Sequence, residues 1–163
     1  MIAPEQFRDL MAGIPSPVTV LTTWDDGPAG ATIGAFISLS MDPPLVLASL
    51  ISGTTMLERL LRTRRFGVNL LAEHQSRHAR RFASRTGDRF ADIEWQLQNG
   101  LPRLGGTAAW IECELQSEVA GGDHTMVIGR IMSAETSSAQ PMVYCRRSFG
   151  GHIATPTPVW DAA

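Results

Sequence analysis

The sequence predicts a mainly β fold with a few peripheral helices, and three observations carry that expectation. Segments rich in β-branched and apolar residues recur along the 163-residue chain, separated by turn-forming residues. Helical periodicity is confined to short stretches, so the strict strand–helix alternation of a parallel sheet is missing. The run Gly30-Ala31-Thr32-Ile33-Gly34-Ala35-Phe36-Ile37-Ser38-Leu39-Ser40-Met41-Asp42-Pro43-Pro44-Leu45 alternates small or hydroxyl residues with apolar ones and meets a double proline near its end. Period-two alternation reads as extended backbone with one face buried. The other face is nearly free of side chains, so a flat ligand can approach the backbone closely. Pro43-Pro44 stops the run, because proline has no N–H for a ladder and biases its predecessor to extended geometry. A mainly antiparallel barrel with peripheral helices satisfies all three observations.

The elements follow in order. Phe7 to Gly13 reads as a short amphipathic helix closed by glycine. Val18 to Trp24 is β-branched and reads as a strand, and Asp25-Asp26-Gly27-Pro28 is a turn. The alternating run then returns along that strand as a hairpin. Leu45 to Leu50 is continuous enough in apolar residues to be a central strand. Thr55-Met56-Leu57-Glu58 fits a capping box, in which the threonine takes an orphan N–H and the glutamate reaches back. The helix it opens runs to about Arg62, with Met56, Leu57, Leu60 and Leu61 on one face. Phe66 to Leu71 is another strand, and a second helix runs from about Gln75 to Ser84 on Ala79, Phe82 and Ala83. Ala108 to Leu115, Thr125 to Ile131 and Met142 to Cys145 read as three further strands. The tail from Ala154 to Trp160 carries two prolines and cannot be regular helix.

Bulk composition bounds the function. The length suits one domain, and 44% hydrophobic with 18% charged residues excludes a disordered chain. A formal charge of −2 makes no electrostatic case for nucleic acid. No apolar run approaches the ~20 residues of a membrane-spanning helix. The first residues lack the basic and apolar regions of a secretory leader. Cys113 and Cys145 sit in apolar contexts without metal spacing, so the expectation is buried thiols in a reducing cytoplasm. All 14 basic residues are arginine. Without lysine, Schiff-base catalysis, a lysine-anchored pyridoxal cofactor and a P-loop are excluded.

Nine of those arginines fall between Arg59 and Arg89. They read either as a solvated face on two helices or as a phosphate-facing surface. Arg89, in the loop Gly87-Asp88-Arg89-Phe90-Ala91, is the one best placed to reach into a cleft. His74 and His78 have the i, i+4 spacing of metal ligands, but four arginines follow closely and would repel a dication, so no metal is assigned. Gly121-Gly122 demands a turn, after which His124 opens a strand with Asp123 able to orient it. The same tetrapeptide also reads as a plain hairpin turn. There is neither a Gly-x-Ser-x-Gly elbow nor a Gly-x-Gly-x-x-Gly loop, so a hydrolase triad is unsupported and any nicotinamide cofactor would bind without a Rossmann fold.

Several segments in order now resemble the short-chain flavin reductases, the reductase components of two-component flavin monooxygenases. They are Ser16 to Thr23, Thr32 to Pro44, Ser52-Gly53-Thr54-Thr55, Arg65 to Glu73, Asp88-Arg89-Phe90, Ala109 to Cys113, Gly122-Asp123-His124 and Tyr144 to Arg147. The resemblance implies an FMN-binding split barrel of antiparallel Greek-key type, with a core of about residues 7–151 and a C-terminal tail of 152–163. It implies a homodimer that reduces FMN or FAD with NADH or NADPH and hands reduced flavin to a flavin-dependent oxygenase. By position, Thr32, Ile33, Gly34, Ala35, Ser38 and Ser40 would lie against the isoalloxazine and ribityl phosphate. Ser52, Thr54 and Thr55 would lie at the phosphate, where a helix N-terminus is a ready anion site. Asn69, Arg89 and Phe90 would add contacts, Phe149 would be an aromatic near the ring, and His124 would sit at the nicotinamide as the catalytic residue.

The chain departs from the resemblance where Gly34-Ala35 replaces two hydroxyl residues beside the expected flavin. Backbone N–H groups remain there to serve negative charge developing on the ring. Two other readings stand beside the reductase. One is a flavin-binding carrier that takes electrons from a protein partner, and the other is a split-barrel protein without turnover.

Overall fold

The computed structural model describes residues 2–153. Helix α1 (Pro4–Ala12) leads into β1 (Ser16–Pro17), and β2 (Thr19–Trp24) follows. Strands β3 (Pro28–Ile33), β4 (Phe36–Ser40) and β5 (Leu45–Ile51) precede α2 (Thr55–Thr63), β6 (Arg65–Leu70) and α3 (Ser76–Ala83). The hairpin β7 (Trp95–Gln98) and β8 (Leu101–Leu104) comes next. The long strands β9 (Ala109–Gly121) and β10 (His124–Thr136) follow, then β11 (Met142–Cys145) and β12 (Ser148–Gly151).

Seven strands form one sheet in the order β3-β2-β6-β9-β10-β5-β4, and every neighbouring pair is antiparallel. The two edges, β3 and β4, are joined only by Gly34-Ala35. Laid flat at about 4.8 Å per strand, the edges would stand about 29 Å apart. Three Cα steps from Ile33 to Phe36 reach only about 11 Å. The sheet must therefore curl on itself, giving a barrel split between β3 and β4.

Burial follows from that curl. Leu21, Ile33, Val46, Ala48, Leu50, Phe66, Val68, Cys113 and Val127 fill the interior, and Met56, Leu57 and Leu60 of α2 join them. Residues one step out of phase, Val18 and Val20, face a second cluster outside the sheet with Leu71, Ala79, Phe82, Phe90, Leu104 and Met142. Strand β2 is thus buried on both faces, which explains its near-continuous apolar and threonine sequence. Gly67 is required by close approach, since a Cβ there would stand 2.0 Å from the Trp110 ring.

The expected hairpin of β2 and β3 is present, in the register Thr19↔Ile33 to Trp24↔Pro28. The alternating run, however, is two strands on opposite edges, because the chain leaves β2 at Gly34 and pairs with β5 instead. Leu45 to Leu50 lies second from an edge, between β10 and β4. The α2 cap is Thr54, one residue earlier than the box suggested, with Leu57 N–H donating to its hydroxyl at 3.4 Å. Helix α1 ends at Gly13 in ordinary right-handed geometry and buries none of its residues. Strands β1, β7, β8 and β12 add to the expected set. The proline-containing tail from Ala154 lies outside the described residues. Among the described residues, no helix is long and apolar enough to cross a membrane.

Candidate active site

The break at Gly34-Ala35 creates the site. Where β3 ends and the chain crosses to the other edge, the backbone borders a cleft of about 570 Å³, within the range used by small-molecule sites. One wall is the end of β3 and the bend, Ala31 to Ala35. Ser49, Leu50 and Ile51 of β5 continue from it, Ser49 N–H donating to Ala35 O at 3.0 Å, with His124 from the start of β10. The remaining wall is Gly53, Thr54, Thr55 and Met56 at the N-terminus of α2, and Phe82, Ala83, Arg85 and Arg89 close the end. Eight residues expected from sequence meet here: Thr32, Ile33, Gly34, Ala35, Thr54, Thr55, Arg89 and His124.

Each is positioned by local structure. Gly34 is exposed, and a Cβ there would meet only the Ser16 hydroxyl at 3.4 Å. Packing does not demand glycine at that point, so its missing side chain widens the cleft. Gly53 turns the chain into α2 at φ +71, which an L side chain rarely adopts. Thr54 caps α2 and donates its hydroxyl to Ile51 O at 3.0 Å, and the first turn of α2, Thr55 and Met56, borders the cleft. Thr32 donates to Ala79 O of α3 at 2.7 Å, tying the edge strand to the helix.

Arg89 is held by backbone alone. Its Nε donates to Ser84 O at 2.9 Å and its Nη1 to Gly30 O at 2.7 Å. No carboxylate pairs with it among the described residues. The guanidinium therefore carries uncancelled charge at the arginine end of the cleft, aimed by two fixed carbonyls.

His124 also borders the cleft, paired in register with Ile51 and Gly121. Gly122 has φ +68 at the first position of a two-residue turn, which makes the β9–β10 reversal tight. Asp123 Oδ1 lies 2.7 Å from His124 Nδ1. That hydrogen bond lowers the Asp123 carboxyl from its ordinary value, and the imidazole charge adds to it. With Nδ1–H donating to Asp123, Nε2 is the free ring nitrogen.

The other expected site residues lie outside this cleft. Ser38 and Ser40 leave with β4 when the chain crosses to the far edge. The Ser52 hydroxyl pairs with Thr125 at 3.0 Å beside the cleft. Asn69 is buried, donating to Val20 O at 3.1 Å and accepting from Leu104 N at 2.8 Å, so its amide joins strands. Phe90 packs edge-on against Phe82, with centroids 4.9 Å apart, in the outer cluster. Phe149 lies on β12 against Tyr144, with the Arg80 guanidinium 6.0 Å from its ring centroid.

Sequence reasoning passed over Ser49, Met56, Phe82 and Arg85. Arg85 had a signal in the arginine run, and Ser49 is the one polar residue in an apolar strand. His74 precedes α3 and so shares no helical face with His78. Burial lowers the His78 imidazole, and neighbouring Arg77 adds to the shift. A second hollow of about 640 Å³ contains His74 and Arg103, but Arg103 already pairs with Glu135 at 2.7 Å.

Comparison with known proteins agrees with the geometry. The model of the flavin reductase like domain matches residues 11–152. The reductase subunit HsaB of a flavin-dependent monooxygenase from Rhodococcus jostii (strain RHA1) is 38% identical over 153 residues, covering 92% of this chain and 78% of its own. The stachydrine N-demethylase reductase subunit Stc3 of Rhizobium meliloti (strain 1021) is 33% identical over 154 residues, with 93% of this chain and 66% of that one covered. The chain spans 48% of another relative from the same organism. Among solved structures, the Streptomyces globisporus C-1027 NADH:FAD oxidoreductase SgcE6, in complex with NAD and FAD fragments, superposes with a TM-score of 0.88 at 31% identity, covering 96% of this chain and 97% of that one. With a family match across nearly the whole described chain and a curled sheet that superposes on a solved reductase, the chain belongs to the flavin reductase like family.

Proposed function

We propose that this chain is an NAD(P)H-dependent flavin reductase that supplies reduced FMN or FAD to a flavin-dependent oxygenase. One observation carries the reading: a single cleft joins a side-chain-poor backbone, a helix N-terminus with an unpaired arginine, and a histidine. That set fits a flavin, which needs a flat approach at one end and an anion site at the other. When bound, flavin and nicotinamide supply the chemistry, a hydride passing from nicotinamide C4 to flavin N5.

The protein's part is binding and alignment. Arg89 and the first amides of α2 hold phosphate. The backbone of Ile33-Gly34-Ala35 borders the ring and offers N–H groups to negative charge that develops there. His124, oriented by Asp123, holds the nicotinamide through Nε2 or its ring face. No side-chain nucleophile is needed, which agrees with the residues that line the cleft. The reductase components of monooxygenases among the relatives support an oxygenase as recipient. A homodimer in this chain is supported by the apolar residues exposed along the β4 edge.

The test is turnover. Purified protein with FMN or FAD should oxidise NADH or NADPH, followed at the nicotinamide absorbance band. Flavin binding without turnover would replace the reductase with an electron carrier. Neither binding nor turnover would leave a split-barrel protein without flavin chemistry.

A further inference from the structure

The cleft does not end at Arg89. A second chamber of about 330 Å³ adjoins it, and Thr55, Met56, Arg85 and Arg89 border both. Beyond them the chamber is bordered by the start of β3, by Arg59 of α2, and by Gly87-Asp88. The two spaces therefore lie end to end along one strand. From Pro28 to Ile33 that strand extends about 17 Å at ~3.3 Å per residue, with the bend beyond it. A flavin mononucleotide ends at its phosphate, so it would leave the second chamber empty.

The chamber's chemistry is specific. Arg59 lies one turn beyond Thr55, on the same face of α2. Arg59, Arg85 and Arg89 form no ion pair among the described residues. Two unpaired guanidinium groups at the junction, Arg85 and Arg89, and a third inside the chamber, Arg59, suit two linked phosphates better than one. Asp88 is the exception in sign. Its Oδ1 accepts the Phe90 N–H at 2.9 Å, and its carboxylate would repel phosphate. A carboxylate does accept hydrogen bonds from a ribose diol, which lies just beyond a diphosphate.

Resting on the reductase reading, we propose that this chamber binds the adenosine-diphosphate half of FAD, with Arg59 as its specificity-determining residue, so that FAD is the preferred flavin. The same chemistry exists in the adenosine half of a nicotinamide dinucleotide, and the experiment separates the two.

Flavin dissociation constants are measured by fluorescence quenching without nicotinamide, for wild type and Arg59→Ala. FAD should bind wild type about 10-fold or more tighter than FMN. Arg59→Ala should weaken FAD about 10-fold and change FMN less than about 2-fold. The FMN value also reports whether the variant is folded. Equal affinity of wild type for the two flavins would overturn the inference alone. So would an Arg59→Ala variant that weakens both equally. A raised Michaelis constant for NADH with FAD affinity unchanged would assign the chamber to the nicotinamide dinucleotide and overturn it too. Failure of either flavin to bind would remove the reductase reading, and the inference with it.

Discussion

Edge strand β3 is covered by its own chain, whereas edge strand β4 is not. Against β3, α3 lays the Phe82 ring so close to Gly30 that a Cβ there would meet it at 2.9 Å. Thr32 and the Gly30 carbonyl are tied down by Ala79 and Arg89. Along β4, Ile37 is 57% and Leu39 45% exposed, and Met41 beyond it is 94% exposed. A sheet edge must be paired, covered or charged to avoid unwanted pairing. The covered edge has become one wall of the cleft. The bare edge carries apolar side chains and no charge, which suits a second copy of the chain. The same two-residue bend separates a covered edge from a bare one.

The largest expected effect breaks the covered edge. Phe82→Ala removes a ring that is 1% exposed and stacks edge-on with Phe90. The cost should be about 3–5 kcal/mol, seen as a Tm lower by roughly 10 °C in thermal unfolding. A Tm within a degree or two of wild type would show that α3 does not hold β3 in place.

Arg89→Ala tests the charge that the covered edge aims. It should weaken flavin binding by about 1.5–3 kcal/mol, roughly 10- to 150-fold, in equilibrium titration. Unchanged affinity would return Arg89 to a purely structural strap between Gly30 and Ser84.

Beside Ile51 of β5, His124→Ala should raise the Michaelis constant for nicotinamide and slow reduction, with flavin affinity nearly intact. The loss in catalytic efficiency should be about 10- to 100-fold, or roughly 1.4–2.7 kcal/mol. Stopped-flow reduction at wild-type rates across nicotinamide concentrations would leave Gly122-Asp123-His124 as a turn.

The smallest effect on the fold is expected at the bare edge. Ile37→Glu with Leu39→Glu places charge on two exposed positions, so the monomer's stability should change by less than about 0.5 kcal/mol. Its dimer should dissociate at least about 10-fold more readily, visible as a monomer in light scattering at micromolar concentration. A wild type that is already monomeric, or a variant that stays dimeric, would deny the bare edge its role.

Much of this could be read from residues, and where reading failed the cause was physical. Thr54 and Thr55 are equivalent as sequence, and only the helix's start chose between them. Asn99-Gly100 between β7 and β8 carries the pair that a tight hairpin demands, with φ +51 and +80, so that signal was present. Asn69 and Arg89 look alike as polar residues beside apolar runs. Asn69 lies inside a strand whose neighbours claim its amide, whereas Arg89 lies in a loop that frees its charge. Ser38 and Ser40 share the alternation of Thr32, but the bend at Gly34-Ala35 carries them to another edge.

By itself the sequence determined the family, the mainly β class and most of the strands, because periodicity, β-branching and turn residues act over a few neighbours. Only the tertiary structure decided that β3 and β4 are opposite edges, and that the bend between them opens the cleft. It also decided which of nine clustered arginines converge there. The reason is range: Arg89 is aimed by the carbonyl of Gly30, 59 residues earlier, and no local pattern records that meeting.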